Sequence, residues 1–558
     1  MKKHIIITII LLIACVFVTV VYFKNLNTPG MRTSEVMHTI PDNAALIFEF
    51  NNDRSFYDIF NDNQLFASIT GKQQMDNLNA LRDKLLQNPL LEKYFTGQNI
   101  FISVHPSKAD HLDLLLTIPA AKGLEPSIFD QLSKQTGSGM VITPLQSGNK
   151  PGYDIYITAI KRRFYVINKE NNIYSASFSK ELIDQSTLYK IKRDKPAFVL
   201  LSEQQNANSL ANTYVNYGQL SPLLDQLFKN KNTDILQSLK LLPGLAALSL
   251  NYRSDALMFN GTTTIQANQP ASYLNLFTYQ QPGENHLKDI FPATTAYSVN
   301  FAFSDALRFS AALSQWHIKA GLKNEKDLLF NKIRSETGIN LKTDFNNLLG
   351  NEFAVVTTRY LEKFAIISTK DGSKLAALMA NISRITDQNT SHNAAENKIK
   401  TRIPVVTNDK AIYFTENSGQ LNYDKLPFFL LGDAFSIFRH PWYLVIDNYL
   451  VLANSTGELA SYYDTYTNRK FLSKNEQYNQ FDNLLAGRSN VSFFFNFKNC
   501  MQIFKRDMYP DIYDTFESVA PGWGNFYGAS WQFTAADKNF YTNFCIKLNT
   551  GTTIVKIK

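Results

Sequence analysis

Ala45-Leu46-Ile47-Phe48-Glu49-Phe50 and Ala296-Tyr297-Ser298-Val299-Asn300-Phe301 open two runs of similar pattern. Each follows a proline, Ile40-Pro41 in one case and Phe291-Pro292 in the other, at the same Pro-to-Phe spacing. Downstream, Gly97-Gln98-Asn99-Ile100-Phe101-Ile102 matches Gly350-Asn351-Glu352-Phe353-Ala354-Val355. A polar turn follows each (Pro106 to Asp110; Arg359 to Lys363), then Leu114-Leu115-Leu116-Thr117 and Ala365-Ile366-Ile367-Ser368. The pairs read as hairpins, with glycine at the entry and polar residues at the turn.

Further on, Pro151-Gly152-Tyr153 and Phe164-Tyr165-Val166-Ile167 match Pro441-Trp442-Tyr443 and Tyr449-Leu450-Val451-Leu452. Each run closes after a Pro-Gly. Beyond Pro243-Gly244, Leu248, Leu250 and Tyr252 alternate with polar residues, and beyond Pro521-Gly522, Ala529, Trp531 and Phe533 do so. Period-two alternation is the pattern of a sheet with one wet face. Between the strands, Met75, Leu78, Leu81, Leu85 and Leu86 recur at helical spacing, as do Leu375, Leu378 and Ile382.

These signals predict an α+β fold of two tandem related units, each with largely antiparallel sheet and intervening helices, behind one N-terminal transmembrane helix. The first unit is placed at 38–268 and the second at 289–549, with a linker at 269–288 that carries Pro270, Pro282 and Gly283, and a tail at 550–558.

The transmembrane prediction rests on Ile5 to Phe23, nineteen residues without charge, Pro or Gly. As a helix they span about 28 Å, close to the hydrocarbon thickness of a bilayer. A stub at 1–4 carries Lys2 and Lys3, which hold it in the cytoplasm and send the rest across. Residues 24–37 read as a tether. A cleaved signal peptide is one alternative. A lipoprotein is another, because Leu12-Ile13-Ala14-Cys15 resembles a lipobox; polar residues would then be expected after Cys15, where Val-Phe-Val stands.

With its anchor, its Ile40-Pro41-Asp42-Asn43-Ala44-Ala45-Leu46 start and its duplicated hairpin-rich units, the chain resembles a family of anchored bacterial envelope proteins whose shared domain has no known function. The resemblance implies a single-pass inner-membrane protein with its bulk in the periplasm. It implies no activity.

Composition narrows the chemistry. Over 558 residues, 44% hydrophobic and 19% charged exclude a disordered chain, and 13% aromatic content favours sheet. A net charge of +8 is scattered, without the basic stripe or module that nucleic acid requires, so no nucleic-acid partner is expected. Cys500 and Cys545 can pair in an oxidising compartment but make neither a disulfide framework nor a metal cluster.

Ser177-Phe178-Ser179-Lys180 is an S-x-x-K, which names Ser177 and Lys180 as candidate catalytic residues of a serine–lysine hydrolase; the companion motifs of that class are missing. His105 and His111 flank the first hairpin turn beside Asp110 and Asp113, the candidate metal ligands. No cofactor is expected. Phe493-Phe494-Phe495-Asn496-Phe497 reads as a strand buried on both sides. The leading expectation is a non-catalytic interaction or scaffold module of the envelope, binding the membrane through Ile5 to Phe23 and an envelope protein or polymer through its units. The alternatives are an envelope hydrolase and a lipid- or hydrophobe-binding module.

Overall fold

The computed structural model describes residues 35–53, 56–57, 72–106, 112–121, 124–135, 138–169, 172–189, 209–229, 244–253, 255–265, 272–390, 404–407, 410–413, 417–518 and 522–549. The chain is α+β with a large antiparallel sheet. It divides into two compact units. One holds the described residues of Met1–Asp62, Gln73–Val215 and Ala247–Ser249; the other holds those of Asn63–Lys72, Asn216–Ala246 and Leu250–Lys558.

The strands of the first unit are β1 (Leu46–Asn51), β2 (Asn99–Pro106), β3 (Leu112–Pro119), β4 (Met140–Ser147), β5 (Lys150–Ile157), β6 (Arg162–Asn168), β7 (Ile173–Ser177) and β8 (Ala211–Asn216). Antiparallel pairing runs β4-β5-β6-β7-β3-β2-β1-β8. Its helices are α1 (Lys72–Leu81), α2 (Glu92–Phe95), α3 (Pro126–Ser133) and α4 (Lys180–Leu188). Ser179 starts α4 by accepting the Leu182 N–H.

Later strands are β9 (Leu245–Tyr252, divided between the units), β10 (Ala256–Thr264), β11 (Gly283–Glu284), β12 (Thr295–Ala302), β13 (Leu349–Thr358), β14 (Lys363–Thr369), β15 (Pro404–Thr407), β16 (Lys410–Tyr413), β17 (Ser418–Gln420), β18 (Trp442–Ile446), β19 (Tyr449–Ala453), β20 (Arg488–Ser489), β21 (Val491–Asn496), β22 (Phe526–Ala536) and β23 (Asn539–Leu548). In the second unit pairing runs β17-β18-β19-β14-β13-β12-β21-β22-β23-β10. β21 lies between β12 and β22, so Phe493 and Phe494 are buried on opposite faces.

Strand for strand, β3 meets β7 as β14 meets β19. The strand that meets β3 is Ile173–Ser177, whereas the sequence match to Tyr449–Leu452 falls on Phe164–Ile167, one strand earlier. Helices follow at corresponding points. Asn216 ends β8 and caps α5 (Tyr217–Leu224), while Asn496 ends β21 and caps the helix Phe497–Asp507. Within 269–288, Tyr273, Leu274, Leu276 and Phe277 are buried, and β11 pairs with β20.

The membrane part of the expected architecture is corrected. No helix among the described residues is long and apolar enough to cross a membrane, which contradicts both the transmembrane element of the fold class and the single-pass inner-membrane placement. The longest of them, Gly372–Thr390, shows why: Lys374, Asn381, Arg384 and Asp387 interrupt its apolar positions. Residues 5–23, the alternative lipid site Cys15, most of the tether and the tail 550–558 lie outside the described residues.

Candidate functional site

Alternation sorts the first sheet into two unlike faces. Cross-strand partners share a face, so Leu116 and Ile118 stand with Ala176 and Tyr174, and beyond them with Val166, Phe164 and Ile155. Leu115, Thr117, Ser175 and Ser177 stand on the other face, with Ser103 across from Leu115.

The apolar face forms one side of a partly open cavity of about 70 Å³. Its sheet wall is Ile100, Leu116, Ile118, Ile155, Phe164, Val166, Tyr174 and Ala176. Its helical wall is Leu81, Leu85, Leu86, Leu91, Phe95 and Phe129. Tyr174 alone carries a polar atom, and its hydroxyl accepts from Asn168 Nδ2 at 3.5 Å. Burial pushes that phenol up to about 12. An empty apolar cavity of this size costs on the order of 2 kcal/mol in lost contacts.

The helical wall departs from the expected spacing. α1 ends at Leu81 and gives way to a π-turn over Arg82–Leu86, closed by Gln87 N–H to the Arg82 carbonyl at 2.8 Å. A wide turn repeats at five residues instead of four. Leu86, five residues past Leu81, is thereby brought round to the same wall. Sequence periodicity could not find this, because Leu81, Leu85 and Leu86 fit an ordinary helix almost as well.

The opposite face holds the residues that sequence reasoning named. Ser177 is buried; its hydroxyl donates to the Leu114 carbonyl at 2.7 Å and accepts the Ser179 N–H at 3.0 Å. Lys180 points elsewhere and donates to Asp184 Oδ2 at 2.9 Å. That hydrogen bond raises the lysine pKa, the reverse of what a general base requires. The two side chains share no hydrogen bond.

His105 is fully buried between Asn43 Oδ1, at 2.8 Å from Nδ1, and Ser103 Oγ, at 2.8 Å from Nε2. Burial first, and Lys169 second, lower its pKa to about 3, so the ring is neutral: Nδ1–H donates to Asn43 and Nε2 accepts from Ser103. The order Ser–His–Asn is that of a hydrolytic triad, but no substrate reaches a serine with no exposed surface. His111 lies outside the described residues. No group of three or more His, Cys, Asp or Glu able to hold a metal occurs among the described residues. Cys500 and Cys545 are buried and form no disulfide.

On the same face, Glu49 accepts from Tyr214 Oη at 2.6 Å, Asn99 Nδ2 at 2.8 Å and Asn212 Nδ2 at 3.3 Å. A buried carboxylate is tolerable only when so many donors face it.

The second unit has its own buried chemistry. A polar pocket of about 20 Å³, room for a water, is lined by Ser298, Ser492 and Gln532, with the Lys288–Asp482 ion pair beside them. Between the helices Ala306–Lys319 and Lys323–Thr337, the buried Lys326 donates to Ser314 Oγ at 3.0 Å, and burial lowers its pKa to about 8. Neither was flagged in the sequence, where these residues are isolated. No family model, no curated protein and no solved structure matches this chain.

Proposed function

We propose that the chain is a non-catalytic binding module whose first unit takes up a small apolar ligand. The cavity of about 70 Å³, walled throughout by apolar side chains, carries this reading. Ligand sites are mostly apolar concavities, and an unfilled one is a standing cost that a ligand relieves. The hydrolase reading loses its support here, since Ser177 and Lys180 hold separate partners.

Xenon is the smallest apolar probe of such a space. Under xenon pressure, methyl NMR signals of Leu86, Leu116, Ile155 and Ala176 should shift while those of the second unit stay in place. Lining methyls that do not respond would end the proposal.

An interaction surface is the second reading, favoured by apolar side chains in water on the second unit. Leu307 and Ile318, on one face of the helix Ala306–Lys319, are 60% and 45% exposed, and Leu328 on Lys323–Thr337 is 72% exposed. Replacing all three by Glu should remove partners that co-purify from native extracts. An unchanged set of partners would dismiss this surface.

A further inference from the structure

We infer that the ligand of the apolar cavity is an unbranched hydrocarbon chain, which enters methyl end first between Leu86 and Leu116. This rests on the reading of the cavity as a binding site and adds the shape, polarity and direction of what it takes.

Shape follows from size. An engineered cavity that holds benzene measures about 150 Å³. The cavity here, about 70 Å³, is less than half of that. By the same measure a single water needs about 10–15 Å³, so the space takes the last few carbons of a slender chain. A ring or a tert-butyl group has the wrong cross-section.

Polarity follows from the walls. A head group brought inside would find no donor or acceptor, because the Tyr174 hydroxyl is turned to Asn168. A polar end therefore stays outside. Direction follows from burial. Among the described residues of the wall, twelve of fourteen are buried, and Leu86 and Leu116 alone are partly exposed. The way in lies between them, at the last residue of the π-turn and the middle of β3.

Methyl NMR titration of the full chain with n-hexanol, cyclohexanol and tert-butanol tests the inference, with xenon in parallel. Each methylene admitted to the cavity should tighten binding roughly fourfold. n-Hexanol should therefore bind at least tenfold tighter than either competitor, and affinity should fall steeply only for n-alkanols shorter than about four carbons, which no longer fill the cavity. Ala176→Leu, which fills the space from β7, should abolish binding of both xenon and hexanol; Ala176→Val is the milder substitute if the leucine is not accommodated. Leu86→Phe should block hexanol and spare xenon. Xenon binding with equal affinity for the linear and cyclic alcohols would overturn the chain inference and leave the binding site standing. Absence of xenon binding would remove both.

Discussion

One face of the first sheet is rich in buried hydrogen bonds and the other is held almost wholly by apolar contact, and the two faces are made by alternate residues of the same strands. Leu116 and Ile118 look into a cavity, while Leu115 and Thr117 look toward α4, where Leu182 and Ile183 pack on Leu115 and Ile167. The face rich in reactive atoms is the closed one: Ser103, His105, Ser177 and Glu49 are all buried with partners. The face with space has almost no reactive atoms. Catalytic side chains are recognised by type, whereas room for a ligand depends on what the neighbours leave unfilled.

The contrast can be broken most severely at Glu49. Glu49→Ala leaves the donors of Tyr214, Asn99 and Asn212 unpaired inside the sheet and should cost at least about 3 kcal/mol in urea unfolding. A loss below about 1 kcal/mol would mean that the polar face is not held as described.

His105 comes next. The folded state keeps it neutral down to about pH 3, while the unfolded chain protonates it near 6.5. Below 6.5 the unfolded chain therefore binds the extra proton, and stability falls with pH across that window by up to about 1.4 kcal/mol per unit. The stability–pH curve of His105→Gln should be flatter between pH 6.5 and 3. Parallel curves for the two proteins would contradict the buried neutral ring.

The smallest effects are predicted for the serine–lysine pair. Ser177→Ala removes the bonds to the Leu114 carbonyl and from the Ser179 N–H and should cost about 1 to 2 kcal/mol. Lys180→Ala should leave the melting temperature within error. A serine-reactive probe that labels wild type and not Ser177→Ala would reverse the assignment of this face as closed.

Much of the sheet was legible. The shared Pro-to-Phe spacing located β1 and β12, alternation located the closing strands, and glycine marked the hairpin entries. The identity of the strand facing β3 was not, because Phe164–Ile167 and Ile173–Ser177 are both short apolar runs and only pairing tells them apart. Ser177-Phe178-Ser179-Lys180 misled for a related reason. A four-residue spacing cannot say that the first serine bonds to a strand while the lysine reaches along a helix to Asp184. Cavity residues were invisible as a group, since each is an ordinary core residue taken alone.

The π-turn over Arg82–Leu86 lets the cavity wall absorb a change in the length of the chain. A turn of this kind holds one residue more than the helix it interrupts. Deleting Asp83, an exposed residue in that turn, would let the helix close to an ordinary turn, with Leu86 then four residues past Leu81 and still on the wall. A lineage could therefore gain or lose the wide turn in a single indel and keep the chamber, with every wall residue unchanged.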